Sequence, residues 1–140
     1  MAEAITAARL PESSRGKLSV SSAGTAAFDG MRAASNAVKV LAEIGIDLAD
    51  HRTRLLTKEM VDEADLVVVM TEAHRDEVLD LAPGSAGKVV VLGELESSRE
   101  SPDIADPIGG DEEAYRATRD EIDGLVPRLL DYVVEILRVS

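Results

Sequence analysis

The order of its apolar runs constrains this chain most. Three short β-branched segments, Leu18–Ser22 (LSVSS), Leu66–Met70 (LVVVM) and Lys88–Leu92 (KVVVL), are separated by stretches with helical spacing. Apolar residues on consecutive positions of so short a run mark strands buried on both faces. Strands that alternate with helices mark a parallel sheet with right-handed crossovers. The pattern predicts an α/β fold, a three-layer sandwich with helices on both faces of a parallel sheet. Residues 33–44 place Ala37, Val40, Leu41 and Ile44 on one stripe before Gly45, a suitable residue to end a helix. Further helices are expected over 57–64, beginning at Thr57, and over 72–81, with Val78, Leu79 and Leu81 inward and Pro83-Gly84 as the stop. The last helix runs from about Asp111 to Leu137, with Tyr115, Ile122, Leu125, Leu129, Val133 and Ile136 at helical spacing. Pro127 lies inside it and predicts a kink or break near Gly124. The chain itself opens in a helical pattern, MAEAITAARL, with no strand before it.

At 140 residues the chain is one domain, 1–140, long enough to bury its own core. No repeat or linker divides it. Its single irregular stretch is 93–110, and long loops at the carboxyl ends of parallel strands are where ligands bind. With 27 acidic and 15 basic side chains the net charge is -12, which argues against a general basic surface for nucleic acid or an anionic membrane. No run approaches the roughly 18 apolar residues of a membrane span. The N-terminus carries Glu3 early and has no basic start before an apolar run, so it does not read as a signal peptide, and the expected location is the cytoplasm. The cysteine count is zero, so disulfides, cysteine-ligated metals and every thiolate nucleophile are missing from these residues. His51 and His74 lie in different segments with no paired-ligand spacing, and His74 falls on the polar side of its helix; no metal site is expected. Neither GxGxxG, nor a P-loop, nor GxSxG occurs, so no cofactor and no serine-hydrolase chemistry is expected.

The strongest local feature is Asp106-Pro107-Ile108-Gly109-Gly110. Pro107 restricts Asp106 to extended backbone, and the glycines let the chain turn sharply behind it, so the carboxyl group is aimed by stiff neighbours. A carboxyl group held this way serves as a general acid where burial or a nearby anion raises its pKa. The plainer reading is that Asp-Pro starts a turn which Gly-Gly completes. His51-Arg52-Thr53-Arg54 concentrates titratable and cationic groups in one loop, either as a functional segment or as a solvated basic turn. Ser22-Ala23-Gly24-Thr25 follows the first apolar run, with Gly24 placed for a tight turn.

Taken together, these segments resemble a known family. Ser22-Ala23-Gly24-Thr25, Gly45-Ile46-Asp47, His51-Arg52-Thr53-Arg54-Leu55, Ala64-Asp65-Leu66 through Met70-Thr71 to His74, and Asp106-Pro107-Ile108-Gly109-Gly110 before Tyr115-Arg116 match the low-molecular-weight protein tyrosine phosphatases in order and spacing. The match is of the bacterial type and spans essentially the whole chain. The resemblance implies a strand and a C-x5-R phosphate loop ahead of the first helix, with a cysteine that attacks phosphorus and an arginine that holds the phosphate oxygens. Neither that strand nor that loop is present, so the chain reads as an N-terminally truncated domain whose sheet lacks an interior strand.

By the same resemblance Asp106 is the general acid, and His51, Ser22 and Arg54 support the phosphate loop. There is no counterpart for the nucleophile. Ile108 stands where many eukaryotic members carry an aromatic wall. The implied function is hydrolysis of phosphotyrosine or phosphoarginine in proteins through a cysteinyl-phosphate, with this chain inactive as written. Two alternatives are a non-catalytic binding or regulatory relative and, with less support because it needs several cysteines, an arsenate reductase. The expected partner is a phosphorylated protein substrate. The absent strand predicts a three-stranded remnant, poorly stable or self-associating through exposed sheet edges.

Overall fold

The computed structural model describes residues 1–137. Helix α1 spans Ala2–Arg9, α2 Ser35–Ala42 and α3 Lys58–Glu63. Strand β1 is Val67–Val69, α4 is Glu72–Leu81, β2 is Val89–Val91 and α5 is Glu112–Leu137. The fold is α/β with a parallel sheet, as the alternation of apolar runs and helical stretches predicts.

β1 and β2 pair in parallel, Val67 opposite Val89 and Val69 opposite Val91. Because side chains alternate across a strand, the two faces build different cores. Val67, Val69, Val89 and Val91 pack with Val61 of α3 and Val78 of α4. Leu66, Val68 and Met70 turn to the opposite side, against a larger core holding Ile5 of α1, Val40 and Leu41 of α2, and Ile122, Leu125 and Val126 of α5. Helices thus cover the sheet on both faces, which gives three layers.

The helix ends follow local chemistry. Thr57 and Thr71 cap α3 and α4, their hydroxyls accepting from the Met60 and His74 amides at 3.2 and 3.0 Å. Asp111 does the same for α5, accepting from the Ala114 amide at 2.9 Å. Beyond α2 the chain turns at Gly45, whose φ of 78° is in the left-handed region.

Three expectations are corrected. Leu18–Ser22 forms no strand: among the described residues the sheet has only the order β1-β2, and this segment joins no ladder. Its residues alternate between half-buried (Leu18, Val20, Ser22) and exposed (Ser19, Ser21), a strand's pattern without a strand to bond to. The expected three-stranded remnant is therefore two-stranded. Second, Pro127 does not break α5, which runs continuously from Glu112 to Leu137. Pro127 and Gly124 are both exposed, so the carbonyl that the proline leaves without an amide lies on the solvent side of the helix. Third, Leu81 is 38% exposed, at the last turn of α4, rather than inward.

Candidate active site

The candidate site gathers at the N-terminus of α1. Helix α1 is held from behind: Ile5 is fully buried, and Arg9 donates from Nε and Nη2 to both carboxylate oxygens of Asp123 on α5, at 3.1 and 3.2 Å. That fork fixes the helix axis and leaves its first turn facing the loops. At that turn the Ser22 hydroxyl donates to Glu3 Oε1 at 2.8 Å, and Arg54 Nε donates to the Ser22 carbonyl at 3.2 Å. Ser22 and Arg54, taken from segments 32 residues apart, are thereby brought to one point.

Asp106 is carried on the loop that follows β2. The loop that carries it leaves β2 at Gly93, where the backbone of Pro102 lies so close that a Cβ would stand 2.1 Å from its carbonyl oxygen. The loop then returns to β1: the Ile104 amide donates to the Met70 carbonyl at 2.8 Å, and the Ile104 side chain is buried. On either side of it, Asp103 Oδ1 accepts from the Glu72 amide at the start of α4, and the Ala105 carbonyl accepts from the Thr118 hydroxyl at 3.4 Å. Arg99 ties the loop to α5 by bonding to the carbonyls of Ser101 and Asp103 and to Glu121. The irregular stretch is thus clamped to β1, α4 and α5, and its tip is positioned by them.

At the tip, Asp106 Oδ1 accepts from the Ile108 amide at 3.0 Å and the Gly110 amide donates to the Pro107 carbonyl at 2.7 Å. Gly109 has a φ of 77°, a conformation that the turn requires and that glycine adopts without strain. This is the turn the Asp-Pro reading allows, and it orients the carboxylate: one oxygen is engaged by the turn and Asp106 is exposed. The Met1 α-amine lies within electrostatic range of both Asp106 and Glu3. Burial pushes its pKa below the ordinary value of 8.0, while the two carboxylates act in the opposite sense. Glu3, Ser22 and Arg54 are thus linked at the first turn of α1, with Asp106 in electrostatic range of the Met1 amine.

His51 is placed differently. Its amide donates to the Leu48 carbonyl at 3.1 Å, and its own carbonyl accepts from Arg52 at 2.9 Å. The half-buried imidazole makes no hydrogen bond to Ser22, Glu3, Arg54 or Asp106 among the described residues. Glu3 is the site residue that the sequence reading passed over. An acid in the first turn of a helix was the available signal, since such residues are favoured by the helix dipole and bond to whatever approaches that end. Among the described residues no three His, Asp or Glu side chains form a group able to hold a metal ion, and no helix is long and apolar enough to cross a membrane.

Chemically, the free amides at the first turn of α1 favour an anion, and the Asp106 carboxylate lies within electrostatic range of the same helix end.

Comparisons with known proteins bear on this geometry. The family model described as low molecular weight phosphotyrosine protein phosphatase matches residues 1–138. A protein-arginine-phosphatase of Geobacillus stearothermophilus is 42% identical over 112 residues, which is 80% of this chain and 74% of that protein. The low molecular weight protein-tyrosine-phosphatase Wzb of Salmonella typhimurium is 32% identical over 120 residues, 86% of this chain and 74% of its own length. Among solved structures, the YwlE arginine phosphatase from Geobacillus stearothermophilus aligns with a TM-score of 0.84 and 38% identity, covering 99% of this chain and 87% of that one.

Proposed function

Because the chain belongs to the low molecular weight phosphotyrosine protein phosphatase family, we propose that it supplies the general acid and the scaffold for removing phosphate from a phosphorylated protein side chain. The observation that carries this reading is the family match over residues 1–138, with Asp106 held by its own turn at the tip of the loop that follows β2. In the family's two-step chemistry a thiolate attacks phosphorus and forms a cysteinyl-phosphate while an acid protonates the departing atom. The resulting carboxylate then takes a proton from the water that hydrolyses the sulfur–phosphorus bond. Asp106 is the group for both proton transfers. Ser22 and Arg54, joined to the helix through Glu3, brace the turn on which phosphate would rest.

The thiolate is not among these 140 residues, whose cysteine count is zero. By itself the chain has no route through a cysteinyl-phosphate, and we infer that it is inactive as written. Both relatives named above are protein phosphatases, one for arginine and one for tyrosine. The exposed aliphatic Ile108 beside Asp106 offers no ring to stack on phosphotyrosine, which favours the arginine substrate.

The test has two stages. The 140-residue chain is assayed on para-nitrophenyl phosphate and is expected to show no turnover above buffer. The same chain preceded by a strand and C-x5-R segment, taken from the in-frame upstream sequence or from the arginine phosphatase relative, is expected to turn over. In that extended protein Asp106→Ala lowers kcat about 100-fold, the size of a lost general acid. Turnover by the short chain, or an extended enzyme indifferent to Asp106→Ala, overturns the reading. Comparing phosphoarginine and phosphotyrosine peptides as substrates then decides the leaving group. If the extended protein folds but never turns over, the non-catalytic alternative stands in its place.

A further inference from the structure

The cations of this acidic chain are not spread evenly by function. Every described lysine or arginine on α1 to α5 is ion-paired, from Arg9 with Asp123 and Lys39 with Glu112 to Arg128 with Glu96. Off the helices, Arg15 and Lys88 bond to backbone carbonyls. Arg52 and Arg54 do the same, to the carbonyls of Ala49, His51 and Ser22, and with Arg32 they make a group of three. None forms an ion pair among the described residues, all three are exposed, and all three lie on one pair of extended segments beside the candidate site.

Those segments are 22–32 and 51–56. They are stitched by the Gly24 amide to the Arg54 carbonyl, the Gly30 amide to the Thr53 carbonyl, the Thr53 amide to the Met31 carbonyl and the Leu56 amide to the Gly24 carbonyl, at 2.8–2.9 Å. Arg32 and Arg52 stand directly opposite each other in an antiparallel bridge. The bond beside them runs between their neighbours, Thr53 to Met31, which is the register in which facing side chains come closest. Like charges in that position are destabilising. Arg54 follows Arg52 by two residues along extended chain, so it shares the exposed face. The pair of segments holds three arginines against one acid, Asp29, and the Asp29 carboxylate is engaged by the Leu55 amide at 2.7 Å. On a chain of net charge -12, with Asp47, Asp50 and Glu3 nearby in the fold, these three cations still have no ion-pair partner among the described residues.

We propose that this face docks an acidic, extended segment of a protein substrate, its carboxylates lying across Arg32, Arg52 and Arg54. The proposal rests on the phosphatase reading for its location, since Arg54 also bonds to Ser22 at the site. It adds to that reading a preference for phosphorylated residues flanked by Asp and Glu. The repulsion between Arg32 and Arg52 is relieved when a carboxylate lies between them, which couples the cost in the free protein to affinity for the partner.

The test uses the 140-residue chain and fluorescence anisotropy, with a labelled, unphosphorylated peptide of alternating Glu and Gly as probe. A peptide with Gln in place of Glu and a single-stranded oligothymidylate of equal length serve as comparisons. Expected are binding of the Glu peptide that weakens with added salt, no measurable binding of the Gln peptide, and an affinity about tenfold lower for the Arg32→Gln/Arg52→Gln double variant. Arg128→Gln, on α5, keeps the parent affinity. The single charge reversal Arg32→Glu is the second variant, and it lowers affinity further while a circular dichroism melt reports whether either variant has unfolded. Equal binding of the Glu and Gln peptides, or no loss in folded variants, overturns the proposal. Oligothymidylate binding as tight as the Glu peptide overturns it in favour of nucleic acid. Because the probe carries no phosphate and para-nitrophenyl phosphate is too small to reach the arginines' partner, loss of docking and loss of turnover are read separately.

Discussion

A Cβ at Gly93 would stand 2.1 Å from the Pro102 carbonyl oxygen and 2.7 Å from its carbon, so the loop can return over β2 only because that side chain is a hydrogen. The contact sits upstream of everything that aims Asp106. Gly93→Ala is therefore expected to cost about 1–3 kcal/mol, the range for overpacking a filled interior. Urea unfolding followed by circular dichroism measures it; a midpoint equal to the parent's would show that the loop yields freely. Asp106 itself was legible in the sequence, because Pro107 and the two glycines fix local backbone geometry without reference to the rest of the chain. Glu3 was not. Its partner Ser22 is 19 residues away, and nothing local to either residue announces the 2.8 Å bond between them. The sequence reading grouped His51 with the site on resemblance, and the structure gives its imidazole no bond to the residues gathered there.

Between elements, the junction of α2 with α5 is decided by charge. Arg116 donates from Nε and Nη2 to the two oxygens of Glu43 at 2.9 and 2.6 Å, and it also bonds to Glu112 and Glu113. The buried Arg119 adds Nη1 bonds to Glu43 at 2.7 Å and to the Val40 carbonyl at 2.8 Å. Hydrogen bonding to Arg116 is the main reason the Glu43 carboxyl is held down to about 2 from an ordinary 4.5, with partial burial opposing and Arg119 assisting. A carboxylate whose pKa is depressed by folding stabilises the folded state fully above its unfolded value and loses that contribution as pH falls through the folded one. Stability should thus decline between 4.5 and about 2 through this residue. Urea midpoints measured across that interval check it: Glu43→Gln should start lower at neutral pH and show a shallower decline, and an identical slope would exclude Glu43 as its source. The helices that meet here were readable from apolar spacing, with ends shifted by a residue or two. Their ion pairs were not, since exposed charges at helical spacing look alike in sequence whether or not another helix faces them. Pro127 was read as a kink or break near Gly124 because the rule counts the lost amide; that it does not break the helix depends on its exposed position, which is set by which face of α5 meets the core.

For the molecule as a whole, the sheet is the open question that structure turned into a definite shape. β1 and β2 pair only with each other among the described residues, so each presents one edge without a ladder partner. Unpaired parallel edges rich in valine are templates for further strands, and we propose that the chain self-associates through them. Sedimentation velocity over a concentration series should show mass-action growth of oligomers; a single monomeric species throughout would remove the proposal. The alternation of apolar runs and helical stretches determined the α/β class and the three layers, because burial on both faces of a strand leaves its mark in consecutive residues. The cysteine count of zero determined that no thiolate chemistry resides in these residues. Tertiary structure alone decided that Leu18–Ser22 is not a strand, because a strand exists only when a neighbour accepts its hydrogen bonds. It alone brought Glu3, Ser22 and Arg54 to one helix end, and it set Arg32 opposite Arg52, because contacts across the chain are made by packing and not by proximity in sequence.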